Sequence, residues 1–174
     1  MSLSFASDPE VTPTLHDEIL RLWVDVSNAG GSVGFVPPVT EEDVRPSLLK
    51  YLRGIAAGGT SLLTGRDEDG TLVASTFLVR DEHRLMRHWV WLYIVMVHPS
   101  RQGTGAGREL LSAAADAARR TDGVEAVRLT LRGGDGLEHF YGACGYQEAG
   151  RVPGAFKVAD DEYRDEVTMW LALT

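Results

Sequence analysis

Cysteine is nearly missing from this 174-residue chain: Cys144 stands alone, so no disulfide can form within it. A lone thiol agrees with a reducing compartment, and the cytoplasm is the expected location. Basic residues are the minority charge, 17 Lys and Arg against 25 Asp and Glu, and they form no stripe. The resulting net charge of −8 argues against a nucleic-acid partner, which needs concentrated positive surface. It reads first as a solvated acidic exterior. Long apolar runs are missing too. The longest, Trp89–Val97, falls far short of the roughly 20 residues of a membrane-spanning helix, so no membrane partner is expected. The opening MSLSFASDPE lacks the basic and long apolar parts of a secretory signal. No repeat, low-complexity tract or linker breaks the chain, which predicts one domain over residues 1–174. No residue is assigned to a metal.

What is present is regular patterning. Ser2–Asp8 alternates loosely, as an edge strand would. Leu15, Ile19, Leu22, Trp23 and Val26 recur at helical spacing between Pro13 and Asn28, with Thr12 or Thr14 as N-cap and Asn28-Ala29-Gly30-Gly31 as the stop. A Gly- and Pro-rich loop, residues 30–38, follows. Thr40-x-x-Asp43 resembles a capping box with Asp in place of Glu or Gln, opening a second helix through Val44, Leu48, Leu49, Leu52 and Ile55. Ser61–Arg66 and Leu72–Arg80 read as a hairpin around Asp67-Glu68-Asp69-Gly70. Further on, Val124–Leu131 reads as a strand, Leu137–Cys144 as a short helix, Gly145–Ala149 as a short strand and Val167–Leu173 as the terminal one. This order predicts a mixed α/β fold with one sheet.

The chain is organised around Trp89–Leu111, WVWLYIVMVHPSRQGTGAGRELL. Its first nine residues read as a strand buried on both faces, and His98-Pro99 ends it. A turn bearing Gly103, Gly105 and Gly107 leads into a helix whose Ala106, Leu110, Leu111, Ala114 and Ala118 share one face. The next strand should then lie parallel to the first, through a right-handed crossover. A strand feeding a glycine turn that opens a helix is phosphate-binding geometry, because backbone N–H groups converge where no Cβ blocks an anion. A P-loop is excluded, since Arg108-Glu109 stands where Lys followed by Ser or Thr is required. A dinucleotide fingerprint fits poorly: the spacing is G-x-G-x-G and the following strand ends near Thr130 without an acidic residue.

Gln102-x-x-Gly105-x-Gly107 resembles the Q/R-x-x-G-x-G/A signature of the GCN5-related N-acetyltransferases (GNAT). Phe140-Tyr141-Gly-Ala-Cys-Gly145-Tyr146 is similar to the same family's F/L-Y-x-x-x-G-F/Y element, and follows at the expected distance. Residues 60–173 share the family's motif order. Gly30-Gly31-Ser32-Val33-Gly34-Phe35, with Val152-Pro153-Gly154, resembles its tabtoxin-resistance branch. The resemblance implies a single mixed, mostly antiparallel sheet whose central parallel strands splay apart, with helices on both faces. It implies acetyl-CoA as co-substrate and direct attack by a primary amine in a ternary complex, with a small-molecule amine as partner. Alternatives are acetylation of protein N-termini or lysines, and a non-catalytic acyl-CoA-binding module. A homodimer is compatible with it, the Val167–Leu173 strand serving as the pairing edge.

By the same resemblance, Gln102, Gly103, Thr104 and Gly105, with Ala106, Gly107 and Arg108, surround the pyrophosphate. Val95, Met96 and Val97 pair with the pantetheine arm as an added strand, and an N–H at Val95 or Met96 polarises the thioester. Tyr141 is the catalytic residue, a phenol that returns a proton to sulfur. Phe35 and Phe156 wall the acceptor pocket, from the 30–36 loop and a 152–156 loop. Two positions depart from that pattern: Gly134 stands where many members carry an Asn at the start of the short helix, and Thr130 where the tabtoxin-resistance branch offers an acidic residue as a candidate base. Glu82 and Asp135 remain as bases acting through water. His98 and Cys144 read as structural.

Overall fold

The computed structural model describes residues 2–174. Helix α1 (Pro13–Asn28) starts at Thr12, whose hydroxyl accepts the Leu15 N–H. Helix α2 (Glu41–Ala56) starts at Thr40 in a complete capping box: Thr40 Oγ1 accepts from Asp43 N, and Asp43 accepts from Thr40 N at 2.8 Å. Asp can replace Glu here because its shorter reach still meets the N-cap amide. Strands β1 (Ser4–Ser7), β2 (Thr60–Arg66), β3 (Leu72–Arg80) and β4 (Trp89–Val97) precede helix α3 (Ala106–Arg119). Strand β5 (Ala126–Arg132), helix α4 (Leu137–Ala143) and strands β6 (Gln147–Ala159) and β7 (Glu162–Ala172) complete the order. Among the described residues no helix is long and apolar enough to cross a membrane.

All seven strands form one sheet in the order β1-β2-β3-β4-β5-β7-β6. Only β4 and β5 run parallel; every other neighbour pair is antiparallel. Helices α1 and α2 cover one face, burying Ile19, Trp23, Val44 and Leu48 against Leu62 and Phe77. Helix α3 covers the other, its Leu110, Leu111, Ala114 and Ala118 packed on Leu78, Val90 and Leu129. Burying one Leu of this kind stabilises by roughly 2–3 kcal/mol, so the alanine-rich stripe works chiefly by letting α3 lie close to the sheet.

Two sequence expectations are corrected at the C-terminal hairpin. The 152–156 loop is part of β6, a 13-residue strand exposed along most of its length. It shows no alternation because it is an edge, wet on both faces, with three register shifts along its ladder with β7. Pro153 is tolerated there because an edge position needs no N–H donor. The terminal strand, in turn, lies between β5 and β6. Both its ladders are taken, so Val167–Leu173 offers no edge for a dimer.

A salt bridge braces the segment after β4. In the β2–β3 turn Asp67 accepts from the N–H groups of Asp69 and Thr71 and, at 2.8 Å, from Arg101 Nη2. Arg101 ends the 3-10 turn Pro99–Arg101 that precedes the glycines. The Arg101 hydrogen bond first, then the backbone donors, hold the Asp67 carboxyl below its ordinary value. A depressed carboxylate stabilises the fold above its unfolded pKa of about 3.9, and that contribution is lost as pH falls through the lower folded value. Asp67→Asn is therefore expected to lower the urea midpoint at pH 7, and the gap to the parent to narrow as pH falls below about 3.9. An equal gap at pH 7 and in that acid range would mean that the charge contributes nothing.

Candidate functional site

The site begins where β4 leaves its neighbours. The β4–β5 ladder has only three rungs, Trp89↔Ala126, Val90↔Val127 and Trp91↔Arg128. On the β3 side the register shifts between Ser75 and Phe77, so that Ile94 and Val95 together oppose Thr76. This is a β-bulge, and Ile94 sits at φ 54°, a left-handed conformation that a β-branched residue adopts only under constraint. Thr76 helps hold it, its hydroxyl donating to the Tyr93 carbonyl at 2.9 Å. The bulge turns the strand, and the splay leaves the backbone beyond Trp91 without a β5 partner. A cavity of about 330 Å³ fills the gap, walled by Leu92–Val95 and Leu129–Arg132.

Loop 30–36 closes that cavity from above. Trp23 Nε1 donates to the Val33 carbonyl at 2.9 Å, and the Asn28 amide exchanges two hydrogen bonds with Val39. Phe35, edge-on to Trp23 at 6.0 Å, lines the cavity opposite Phe156 of β6.

A second cavity, about 520 Å³, opens along the glycine turn and the N-terminus of α3. Gly103 and Gly105 take φ 74° and 95°, which an L side chain would resist. Gly105 is the N-cap, and Glu109 N is the first α3 amide bonded to it, which leaves the Ala106, Gly107 and Arg108 N–H groups without helical acceptors. Gly107 serves differently. A Cβ there would lie 2.9 Å from Phe140 Cζ, so its bareness is what lets α4 abut the first turn of α3.

Helix α4 ends in a Schellman motif: Tyr146 N donates to Tyr141 O and Gly145 N to Gly142 O, both at 3.1 Å, with Gly145 at φ 93°. The Tyr146 ring meets Tyr141 edge-on at 5.6 Å, the apolar contact that goes with this cap. The F-Y-x-x-x-G-Y spacing is thus a helix stop that fixes the Tyr141 ring. Tyr141 is 7% exposed, and burial, with the nearby Cys144, pushes its phenol well above the ordinary value of 10.0. It lines both cavities, as do Ser32, Val33, Val95 and Leu137, so the two spaces meet at its ring.

The acetyltransferase (GNAT) family profile matches residues 32–146, two thirds of the chain. The protein belongs to the GNAT acetyltransferase family. Acetyl-CoA is the donor that family uses. The same fold, at 19% identity, is seen in yncA of Salmonella typhimurium, an assigned acetyltransferase solved with its cofactor acetyl-CoA (TM-score 0.77, covering 100% of this chain and 95% of that one). A ribosomal-protein-alanine N-acetyltransferase from Brucella melitensis shares it at 18% identity, with coverage of 98% and 99% and a TM-score of 0.76. So does an N-acetyltransferase from Staphylococcus aureus Mu50, at 12% identity, with full coverage of both chains and a TM-score of 0.79. No curated protein is significantly similar.

In this GNAT chain, Val95, Val97, Gln102, Gly103, Gly105, Gly107 and Arg108 line the larger cavity. The other three residues assigned to the donor do not. Met96 is fully buried against the α1–α2 layer, Ala106 is buried in the first turn of α3, and the Thr104 hydroxyl donates to the Arg101 carbonyl at 2.6 Å. Residues and group nevertheless fit: bare glycines, unpaired amides and the Arg108 cation suit a diphosphate, and the unladdered β4 edge suits an amide-bearing arm. Of the suggested bases, Glu82 is exposed and lines neither cavity, whereas Asp135 lines the larger one. His98 caps the 3-10 turn, Nδ1 accepting from Ser100 N at 3.2 Å. Arg132 and Lys157 also line the smaller cavity. Sequence reading passed over both, because alternation marks Arg132 as outward-facing and Lys157 lies in a segment with no pattern.

Proposed function

We propose that this protein moves the acetyl group of acetyl-CoA to the primary amine of a small molecule, by direct attack with both substrates bound. Tyr141 at the junction of a glycine-lined cavity and an apolar one is the observation that carries the reading. When bound, acetyl-CoA supplies an acyl group activated on sulfur. Gly103, Gly105, Gly107 and Arg108 would hold its diphosphate, with Gln102 beside them, and Val95 and Val97 its arm. A backbone N–H at the bulge, from Val95 or Met96, would serve as a fixed dipole for developing negative charge. The Tyr141 Oη holds a proton through the whole working pH range, since its phenol is raised rather than lowered, and so can donate one to sulfur. Phe35 and Phe156 exclude water from the acceptor side. The roughly 330 Å³ of that side suits a small acceptor better than a peptide. We take residues 1–174 as one catalytic domain acting in the cytoplasm, and any sheet-extended homodimer as pairing through β6 or β1.

Release of free CoA is the test, with small amines and peptides screened side by side. Turnover with a small amine only is expected; turnover confined to peptides would overturn the small-molecule reading, and none with any amine would overturn transfer itself. The pH profile follows from the absence of a carboxylate on the acceptor side, where Thr130 stands. The value of kcat/KM should rise with pH to the acceptor amine's own pKa, and the break should move when that amine is exchanged. A break fixed near pH 6–7 whatever the amine would require a protein base.

A further inference from the structure

The acceptor cavity has an electrostatic character opposite to that of the protein. The chain carries −8 net charge, yet no Asp or Glu lines this space, and its only charged walls are Arg132 and Lys157. The Arg132 side chain is 14% exposed. None of its five N–H donors makes a hydrogen bond within the protein among the described residues, and its one ionic neighbour, Asp135 Oδ2, stands 3.7 Å from Nε, beyond hydrogen-bond reach. Glu166, its partner across the β5–β7 ladder, forms no ion pair with it. Arg66 and Arg151 are engaged by contrast: Arg66 grips Glu18 through both terminal nitrogens and Arg151 bonds Glu148 and Asp165. A guanidinium on a largely buried side chain, facing a cavity without protein acceptors, gains from a ligand that supplies them, and its planar fork matches an oxyanion. Lys157, more open and only loosely tied to Asp160 at 3.6 Å, adds positive charge on the same wall. Such a lining repels a polyamine and favours a substrate that brings its own negative group.

We propose, building on the transferase reading above, that the acceptor is a small primary amine bearing an oxyanion, and that Arg132 is the residue that binds that oxyanion. The amine end then lies toward Tyr141 and the anionic end toward β5–β6.

The test compares proteinogenic amino acids with their primary amides and their aminophosphonate analogues, alongside spermidine. Transfer is read as CoA release, and binding as the thermal shift of the CoA-saturated protein. Removing the carboxylate lowers the amine's pKa, so preference for the acid runs against nucleophile availability. The expected result is a preference of tenfold or more for the best acid over its own amide, from a charge-assisted contact. Arg132→Met and Arg132→Gln should collapse that ratio to about threefold or less, and Arg132→Lys should restore part of it. All three should keep the acetyl-CoA thermal shift, which separates loss of recognition from loss of fold. A phosphonate preferred over a carboxylate would identify the oxyanion without changing the assignment of Arg132. Amides or spermidine preferred over acids, or a ratio indifferent to Arg132, would overturn the proposal while CoA release left the transferase reading intact. Arg132-dependent binding of acids with no CoA release would do the reverse. Neither binding nor release of any acid would overturn it as well.

Discussion

Tyr141→Phe is expected to lower kcat about a hundredfold or more, the usual contribution of a positioned proton donor, while the affinity for acetyl-CoA stays within about twofold. The substitution is a clean probe. The Tyr141 hydroxyl makes no hydrogen bond within the protein among the described residues, and the ring keeps its edge-on contacts with Phe140 and Tyr146. Melting should therefore change little. Steady-state kinetics with isothermal titration of acetyl-CoA separates the two parameters. Unchanged kcat would remove the phenol from the proton path, and a parallel loss of affinity would make it a binding residue.

Acetyl-CoA at a hundred times its dissociation constant should stabilise the fold by about 2.7 kcal/mol, or about 5–10 °C in Tm for a chain of this length. Gly105→Val should abolish that shift at the same ligand concentration. At φ 95° a β-branched residue costs about 1–3 kcal/mol, and relief by rotating the peptide would turn the N-cap away from the cavity. Differential scanning fluorimetry with and without ligand checks both statements. A full ligand shift in the variant would place the diphosphate elsewhere, and no shift in the parent at millimolar acetyl-CoA would remove the donor site.

Much of this architecture could be read from residue order. The bounds of α1 are those set by Pro13 and Asn28, the capping box opens α2, and the strand–glycine–helix unit lies at the sheet centre, because local pattern and tertiary demand agree there. The bulge was illegible for the opposite reason. Nothing in WVWLYIVMV announces a left-handed residue, and isoleucine argues against one; packing of Thr76 and the divergence from β5 impose it. The same divergence explains why Tyr93, Ile94, Val95 and Val97 are only half-buried in a strand that reads as buried on both faces: they border cavities. Strand β6 escaped because edge strands lack alternation. Of the candidate site, the glycines and Tyr141 were readable as motifs, but their physical tasks were not. Gly107 was read as an N–H donor, and its contact with Phe140 depends on a helix thirty residues further on.

That contact couples two tasks which the sequence writes separately. Since α3 and α4 touch through a missing Cβ, the donor grip and the phenol placement proposed for them would belong to one wedge. On that proposal, altered cofactor preference and altered proton delivery would change together, and adapting this enzyme to a bulkier acyl donor would require reshaping both helices in concert.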